Sequence, residues 1–268
     1  MADLNPFQGR PDRGFNALPG WSWIGCYGGY YLQSDHLQAH GIEHGFFTRL
    51  WHGRGPDELA GAISAGISVH RPQQIHSGDV LEAHRATGAP WPEADGLVSS
   101  AGGQSLWVCG ADCTPVLLAD PGTGHVAACH AGWRGVAARI LCSAIEKLEQ
   151  RGAQRSDLVV ALGPAISGAN YQVQTDVIEA ISGSLGHEHN WSALENAGVL
   201  LPDPEPNHHR LDIRAAARQQ LQQAGLTDAN ISLCPLCTLT EQELFHSWRR
   251  DQVKTVQWSG IVSQAAVS

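Results

Sequence analysis

The chain has 268 residues, of which 43% are hydrophobic and 16% charged, with a formal net charge of −9. That composition excludes a disordered chain. Without a basic run or an apolar stretch long enough to span a bilayer, the sequence also fits neither a general nucleic-acid binder nor a membrane-spanning protein.

Residues 1–20 are rich in Gly, Pro and Asn and read as an irregular lead-in to a single domain over 21–268. They hold no apolar core of a signal peptide, so the expected location is cytoplasmic. Ser22–Gly25 and Tyr27–Leu32 are predicted to pair as a hairpin across Gly28-Gly29, and Gly45–Arg49 as a further strand. Leu59, Ile63 and Ile67 recur at helical spacing after Pro56, with Asp57 and Glu58 near the positive N-terminal end. Short apolar runs predict strands at Asp79–Ala83, Gly96–Ser99, Leu106–Ala111, Val116–Ala119 and His125–Ala131. A helix is expected over 136–150, stopped by Gly152, and then a buried strand over Leu158–Leu162.

Val177, Ile178, Ile181 and Leu185 suggest a helix with Thr175 as its N-cap, and 186–210 reads as a long polar connection. Ile213, Ala216, Ala217, Leu221 and Ala224 mark an amphipathic helix closed by Gly225. Ile231–Leu233 and Val253–Trp258 read as strands, and Thr240-x-x-Glu243 fits a capping box. Strands and helices mix without strict βαβ alternation. The expected class is α+β: one domain, a layered sandwich of mixed β-sheets flanked by helices.

Seven Cys cannot all pair within the chain, and 14 His are available as ligands. Three positions stand out: His76 in Gln-Ile-His-Ser-Gly, Cys113 in Gly-Ala-Asp-Cys-Thr-Pro, and His130 in Cys-His-Ala-Gly-Trp-Arg-Gly. Each falls at the end of a predicted strand or in a loop. Two imidazoles and a thiolate suit zinc, and three ligands leave a fourth position open. No close ligand pair links them, so spacing alone favours buried structural residues.

The neighbouring residues carry more. Pro-Gln-Gln-Ile-His-Ser-Gly-Asp (72–79), Ala-Asp-Gly-Leu-Val (94–98), Gly-Ala-Asp-Cys-Thr-Pro-Val-Leu-Leu-Ala-Asp-Pro (110–121) and Ala-Ala-Cys-His-Ala-Gly-Trp-Arg-Gly (127–135) follow one another. Leu-Gly-Pro-Ala-Ile (162–166), Cys237-Thr238 and Ser247-Trp248-Arg249-Arg250-Asp251 complete the set. In these motifs the chain resembles the laccase-domain family. That family was first called multicopper polyphenol oxidases, then zinc-dependent purine nucleoside phosphorylases, and has also been called peptidoglycan editing factors.

The resemblance implies layered mixed sheets and a zinc ion held at the positions matching His76, Cys113 and His130. It implies phosphorolysis of adenosine, inosine and guanosine, with adenosine deaminase and methylthioadenosine phosphorylase activities besides. The chemistry is consistent, because zinc lowers the pKa of bound water towards about 7, and a cation must hold the incoming phosphate. Arg134, expected just ahead of helix 136–150, is the obvious guanidinium for phosphate, with Arg49 and Arg249 as further substrate or phosphate contacts. Asp112 reads as supporting or structural, Cys109, Cys129 and Cys142 as buried thiols, and His208-His209 as exposed. Cys237 could lie near the pocket, apart from its superficially metal-like Cys-x-x-Cys partner Cys234.

Two departures concern substrate contacts. The family's Gly-Gly-Val-Ser and Ser-Leu-Asn-Leu-Gly stretches after the arginine are replaced by Leu50–Gly55, and its Phe-Glu-Val is Tyr171-Gln172-Val173. Other readings of the donor set are a copper-dependent polyphenol oxidase, a Cys–His hydrolase with Cys113 as nucleophile and His130 as base, and a non-catalytic metal-binding protein. A copper cluster needs several close His-x-His pairs, whereas the sequence offers the single pair His187-x-His189.

Overall fold

The computed structural model describes residues 18–264 apart from 27, 28, 189 and 207. Residues 1–17 of the expected lead-in, the Gly28 end of the hairpin turn and His189 therefore lie outside the described residues. The strands are β1 (Trp21–Cys26), β2 (Gly29–Ser34), β3 (His44–Phe47), β4 (Ser68–His70), β5 (Val80–Glu82), β6 (Gly96–Val98), β7 (Gln104–Gly110) and β8 (Thr114–Ala119). They continue with β9 (Val126–Ala131), β10 (Val159–Leu162), β11 (Gln172–Gln174), β12 (Leu200–Leu201), β13 (His208–Leu211), β14 (Ile231–Leu233) and β15 (Gln257–Val262). The helices are α1 (Asp35–Ala39), α2 (Pro56–Ile63), α3 (Trp133–Ala137), α4 (Ile140–Glu149), α5 (Thr175–Ser184), α6 (Trp191–Asn196), α7 (Ile213–Gln223) and α8 (Trp248–Asp251).

Two six-stranded sheets, ordered β1-β2-β3-β15-β7-β4 and β14-β10-β8-β9-β6-β5, and a three-stranded sheet β11-β13-β12 make up the fold. Both large sheets are mixed: β4–β7, β5–β6 and β10–β14 are parallel, and their other pairs are antiparallel. The α+β layered sandwich expected from the sequence is what the chain adopts.

Side-chain alternation sorts the layers. In β8 and β9, Val116, Leu118, Ala127 and Cys129 join a core with residues of α3, α4, α5 and α7. Leu117, Ala119, Val126 and Ala128 face the other way, into a core shared with Leu32, Phe46, Leu106 and Val108 of the first sheet. Tyr31, Phe47 and Trp107 turn outward from that first sheet onto Leu59 and Ala60 of α2. Strands buried on both faces explain the unbroken apolar runs read from the sequence.

The differences are local. The helix expected over 136–150 is two helices, because Arg139 takes a left-handed conformation (φ 60°) between α3 and α4. Helix α5 is entered from Gln174, without a side-chain cap, and Thr175 is its first residue. The connection 186–210 holds α6 and two strands, which put His208 and His209 half-buried in β13 rather than exposed. Thr240 starts no helix. The Arg250 guanidinium donates to the Thr238 and Leu239 carbonyls at 3.0 and 2.9 Å and to that of Phe245 at 2.9 Å, which holds 238–245 as turns. The last strand starts at Gln257, four residues later than expected.

Candidate metal centre and cleft

Strand pairing brings the donors together. Thr114 lies opposite Ala131 and Pro115 opposite His130, so Cys113, one residue before β8, meets the end of β9. Within β9, Cys129 is buried among the helices and alternation turns His130 to the opposite side. His76 comes from the segment between β4 and β5. Its own φ is 63°, and that of Asp112, beside Cys113, is 101°. Left-handed backbone at such non-glycine residues persists where the surroundings over-determine it.

One ligand atom each from His76, Cys113 and His130 lies within 4.8 Å of the others. In a tetrahedral zinc site donors sit about 2.0–2.3 Å from the ion, so three ligand atoms this close together fit around one centre. Burial pushes the Cys113 thiol up, but the charge of His130 and hydrogen bonds with His130 and His76 outweigh it and bring the pKa down to about 6. Burial opposes charge on His130, yet Cys113 and Asp95 raise it to about 10. Each group favours the charged form of the other, and a bound cation would draw on the same attraction to the sulfur.

Asp95 is the functional residue that the sequence reading missed. It is fully buried, and its Oδ1 accepts from His130 Nδ1 at 2.9 Å. Its Oδ2 accepts from the backbone N–H of Ile75 (3.1 Å) and Ser77 (2.6 Å) and from the Ser77 hydroxyl (3.0 Å). Burial works against its ionisation, but the bonds from His130, Ser77 and Ile75 prevail and hold its carboxyl below the usual range. The Ala-Asp-Gly motif was visible; that its carboxylate serves two distant loops was not.

The donors open onto a cleft of about 680 Å³. Arg134 lines it, its guanidinium 4.4 Å from the Trp133 ring, and so does Arg249, 5.2 Å from the ring of Tyr171. Lys254 adds a third cation, and Trp248, 46% exposed, leaves an aromatic side chain accessible on the wall. Arg134 belongs to the five-residue helix α3 instead of preceding a long helix, so its cation, not a helix terminus, marks this wall. Asp112 accepts from the Thr238 hydroxyl at 2.6 Å and from the Arg249 backbone N–H at 2.7 Å, a supporting part that fastens α8 to the cleft.

Arg49 is not brought there. Its guanidinium donates to the Gln242 carbonyl at 2.6 Å, and the residue is absent from the cleft wall. The Leu50–Gly55 stretch contributes to the outer core through Trp51, whose Nε1 donates to the Tyr30 carbonyl at 3.0 Å. Gln172 donates from its side-chain amide to Asp203 at 3.1 Å and serves the cleft through its main-chain carbonyl, which accepts from the Arg249 guanidinium at 2.9 Å. Cys109 lines the cleft half-buried, and Cys142 is half-buried beside Arg139, so neither is a fully buried thiol as expected. Cys237 is buried next to the cleft residue Ile166, its sulfur accepting from the Ser167 N–H at 3.2 Å. Burial raises Cys237, but the bonds it accepts dominate and lower it to about 7.

The model of the family described as multi-copper polyphenol oxidoreductase laccase matches residues 57–264. The chain is 39% identical over 259 residues to a Synechocystis protein named purine nucleoside phosphorylase slr1573, covering 91% of this chain and 97% of that one. It is 33% identical to purine nucleoside phosphorylase YlmD of Geobacillus stearothermophilus, over 68% of this chain and 67% of the relative. In fold it resembles the crystal structure of Bacillus licheniformis hypothetical protein YfiH, with a TM-score of 0.74, 24% identity and coverage of 87% and 96%. The crystal structure of YlmD from Geobacillus stearothermophilus gives a TM-score of 0.73 at 24% identity, with the same coverage of each chain.

Proposed function

Because this chain belongs to the multi-copper polyphenol oxidoreductase laccase family, we propose that it is a zinc-dependent purine nucleoside phosphorylase. The reading converts adenosine, inosine or guanosine with phosphate into free base and ribose 1-phosphate. Methylthioadenosine cleavage and adenosine deamination are further activities of the same cleft. The names of the relatives support the reaction, and one observation carries it to these residues: three zinc-type donors meet beside a wall that carries Arg134, Arg249 and Lys254.

His76, Cys113 and His130 would hold the ion. Bound zinc supplies Lewis-acid stabilisation of developing negative charge. Phosphorolysis breaks the bond from C1′ of the ribose to the purine nitrogen, leaving positive charge on the sugar and negative charge on the base. Arg134 and Arg249 bind the incoming phosphate, each steadied by an aromatic ring beneath it. Tyr171 lines the same wall; burial first, then the Cys113 charge, raises its pKa, so its hydroxyl remains a proton donor. Trp133 and Trp248 line the same cleft and offer aromatic faces to a purine base.

The family description speaks of several coppers, yet among the described residues one donor group of this kind occurs, His76, Cys113 and His130. That is too few imidazoles for a multinuclear cluster. The test is incubation of zinc-loaded protein with inosine or adenosine, with and without phosphate. Phosphate-dependent release of hypoxanthine or adenine is expected; no base release from any purine nucleoside overturns the reading. Activity that survives chelation but not alkylation would point instead to Cys113 acting as a nucleophile with His130 as base.

A further inference from the structure

Asp95 joins two loops that are far apart in sequence. One carboxylate oxygen accepts from the His130 ring at 2.9 Å, and the other accepts from the amides of Ile75 and Ser77, which bracket His76. The main chains are tied as well, since the His130 N–H donates to the Asp95 carbonyl at 2.7 Å. We infer that Asp95 is a positioning residue that sets both histidine donors at once: it fixes the His130 tautomer and pins the left-handed turn that aims His76. The inference rests on the metal reading above.

A carboxylate can only accept hydrogen bonds. The ring facing it therefore carries its proton on Nδ1, which leaves Nε2 as the nitrogen with a lone pair for a metal. The second oxygen meets three donors, two amides and the Ser77 hydroxyl, at 2.6–3.1 Å. That contact holds His76 at φ 63°, a backbone region that favours glycine. One buried group thus couples the orientation of two of the three donors.

Asparagine has the same shape and a different hydrogen-bonding capacity. With its oxygen kept on the Ile75 and Ser77 amides, its NH₂ faces His130 Nδ1. The ring must then accept there and carry its proton on Nε2, where it blocks metal binding. Turning the amide over places the NH₂ against three donors instead. Neither orientation serves both loops.

Zinc affinity, measured by competition with a chromophoric chelator, tests this in the wild type, Asp95→Asn and Ser77→Ala. The wild type is expected to bind one zinc per chain, and Asp95→Asn to lose about 10- to 100-fold in affinity, with Ser77→Ala losing less. In the zinc-loaded proteins, imidazole ¹⁵N spectra should show His130 protonated at Nδ1 in the wild type and no such signal in Asp95→Asn. Wild-type affinity together with an Nδ1-protonated His130 in Asp95→Asn overturns the inference and leaves the metal reading standing. Absence of zinc uptake by the wild type overturns both. If Asp95→Asn fails to fold, Ser77→Ala decides: weaker zinc binding is expected, and unchanged affinity overturns the inference.

Discussion

A Cβ placed on Gly132 would lie 2.7 Å from the Sγ of Cys113 and 3.6 Å from the ring of His76. Gly132 has φ −75° and ψ 173°, which any residue adopts, so its role here is space and not backbone freedom. Gly132→Ala is therefore expected to fold normally while pushing Cys113 off the shared centre. Displaced donors should weaken zinc binding by about tenfold or more. Chelator competition together with a thermal melt checks it; unchanged affinity would contradict the close contact.

Asp112 fastens α8 through the Thr238 hydroxyl and the Arg249 N–H without offering an atom to the donor group. Hydrogen bonds to a charged group contribute about 1.5–3 kcal/mol each, so Asp112→Ala should destabilise the fold by a few kcal/mol. It should also lower kcat/KM, because Arg249 loses its anchor, while the zinc content stays at the wild-type level. Denaturant titration and metal analysis on the same sample separate these effects.

Arg134 and Arg249 should act on phosphate. Arg134→Gln or Arg249→Gln is expected to raise the KM for phosphate about tenfold, which corresponds to about 1.4 kcal/mol, with zinc retained. Arg49→Gln, whose guanidinium is engaged with the Gln242 carbonyl, should leave that KM unchanged. Phosphate-saturation curves for the three variants give the answer.

His44 should make folding stability rise with pH in the acid range. Its ring is fully buried, accepting the Ser34 N–H at Nε2 (2.8 Å) and donating from Nδ1 to the Ile42 carbonyl (2.8 Å). Burial lowers its pKa from 6.5 to about 4, although the Ile42 bond works the other way. The unfolded chain then binds a proton between about pH 6.5 and 4 that the folded chain refuses. The stability contributed by neutral His44 is thus fully present above about pH 6.5 and is lost as pH falls to about 4, amounting to about 3 kcal/mol. NMR titration of the ring should give a midpoint near 4; a midpoint near 6.5 would contradict the burial argument.

What the sequence disclosed was set by which interactions are local. Strands β7 to β9 and helix α7 were readable because burial imposes apolar runs or a helical period on the chain itself. His76, Cys113 and His130 stood out through the motifs around them. The break at Arg139 was hidden, since α3 and α4 continue one apolar pattern across a single left-handed residue. The Thr240 capping signal was overridden by Arg250, ten residues on, which claims the carbonyls of 238 and 239. Asp95 was visible only as part of the 94–98 motif, because its partners lie at residues 75–77 and 130 and meet it only once the sheets are assembled.

X-ray absorption at the zinc edge of the loaded protein tests the central claim most directly. One sulfur at about 2.3 Å and two nitrogens at about 2.0–2.1 Å are expected, with the sulfur signal lost in Cys113→Ser. A wild-type first shell without sulfur, or one unchanged by that substitution, would mean that the three side chains do not share an ion.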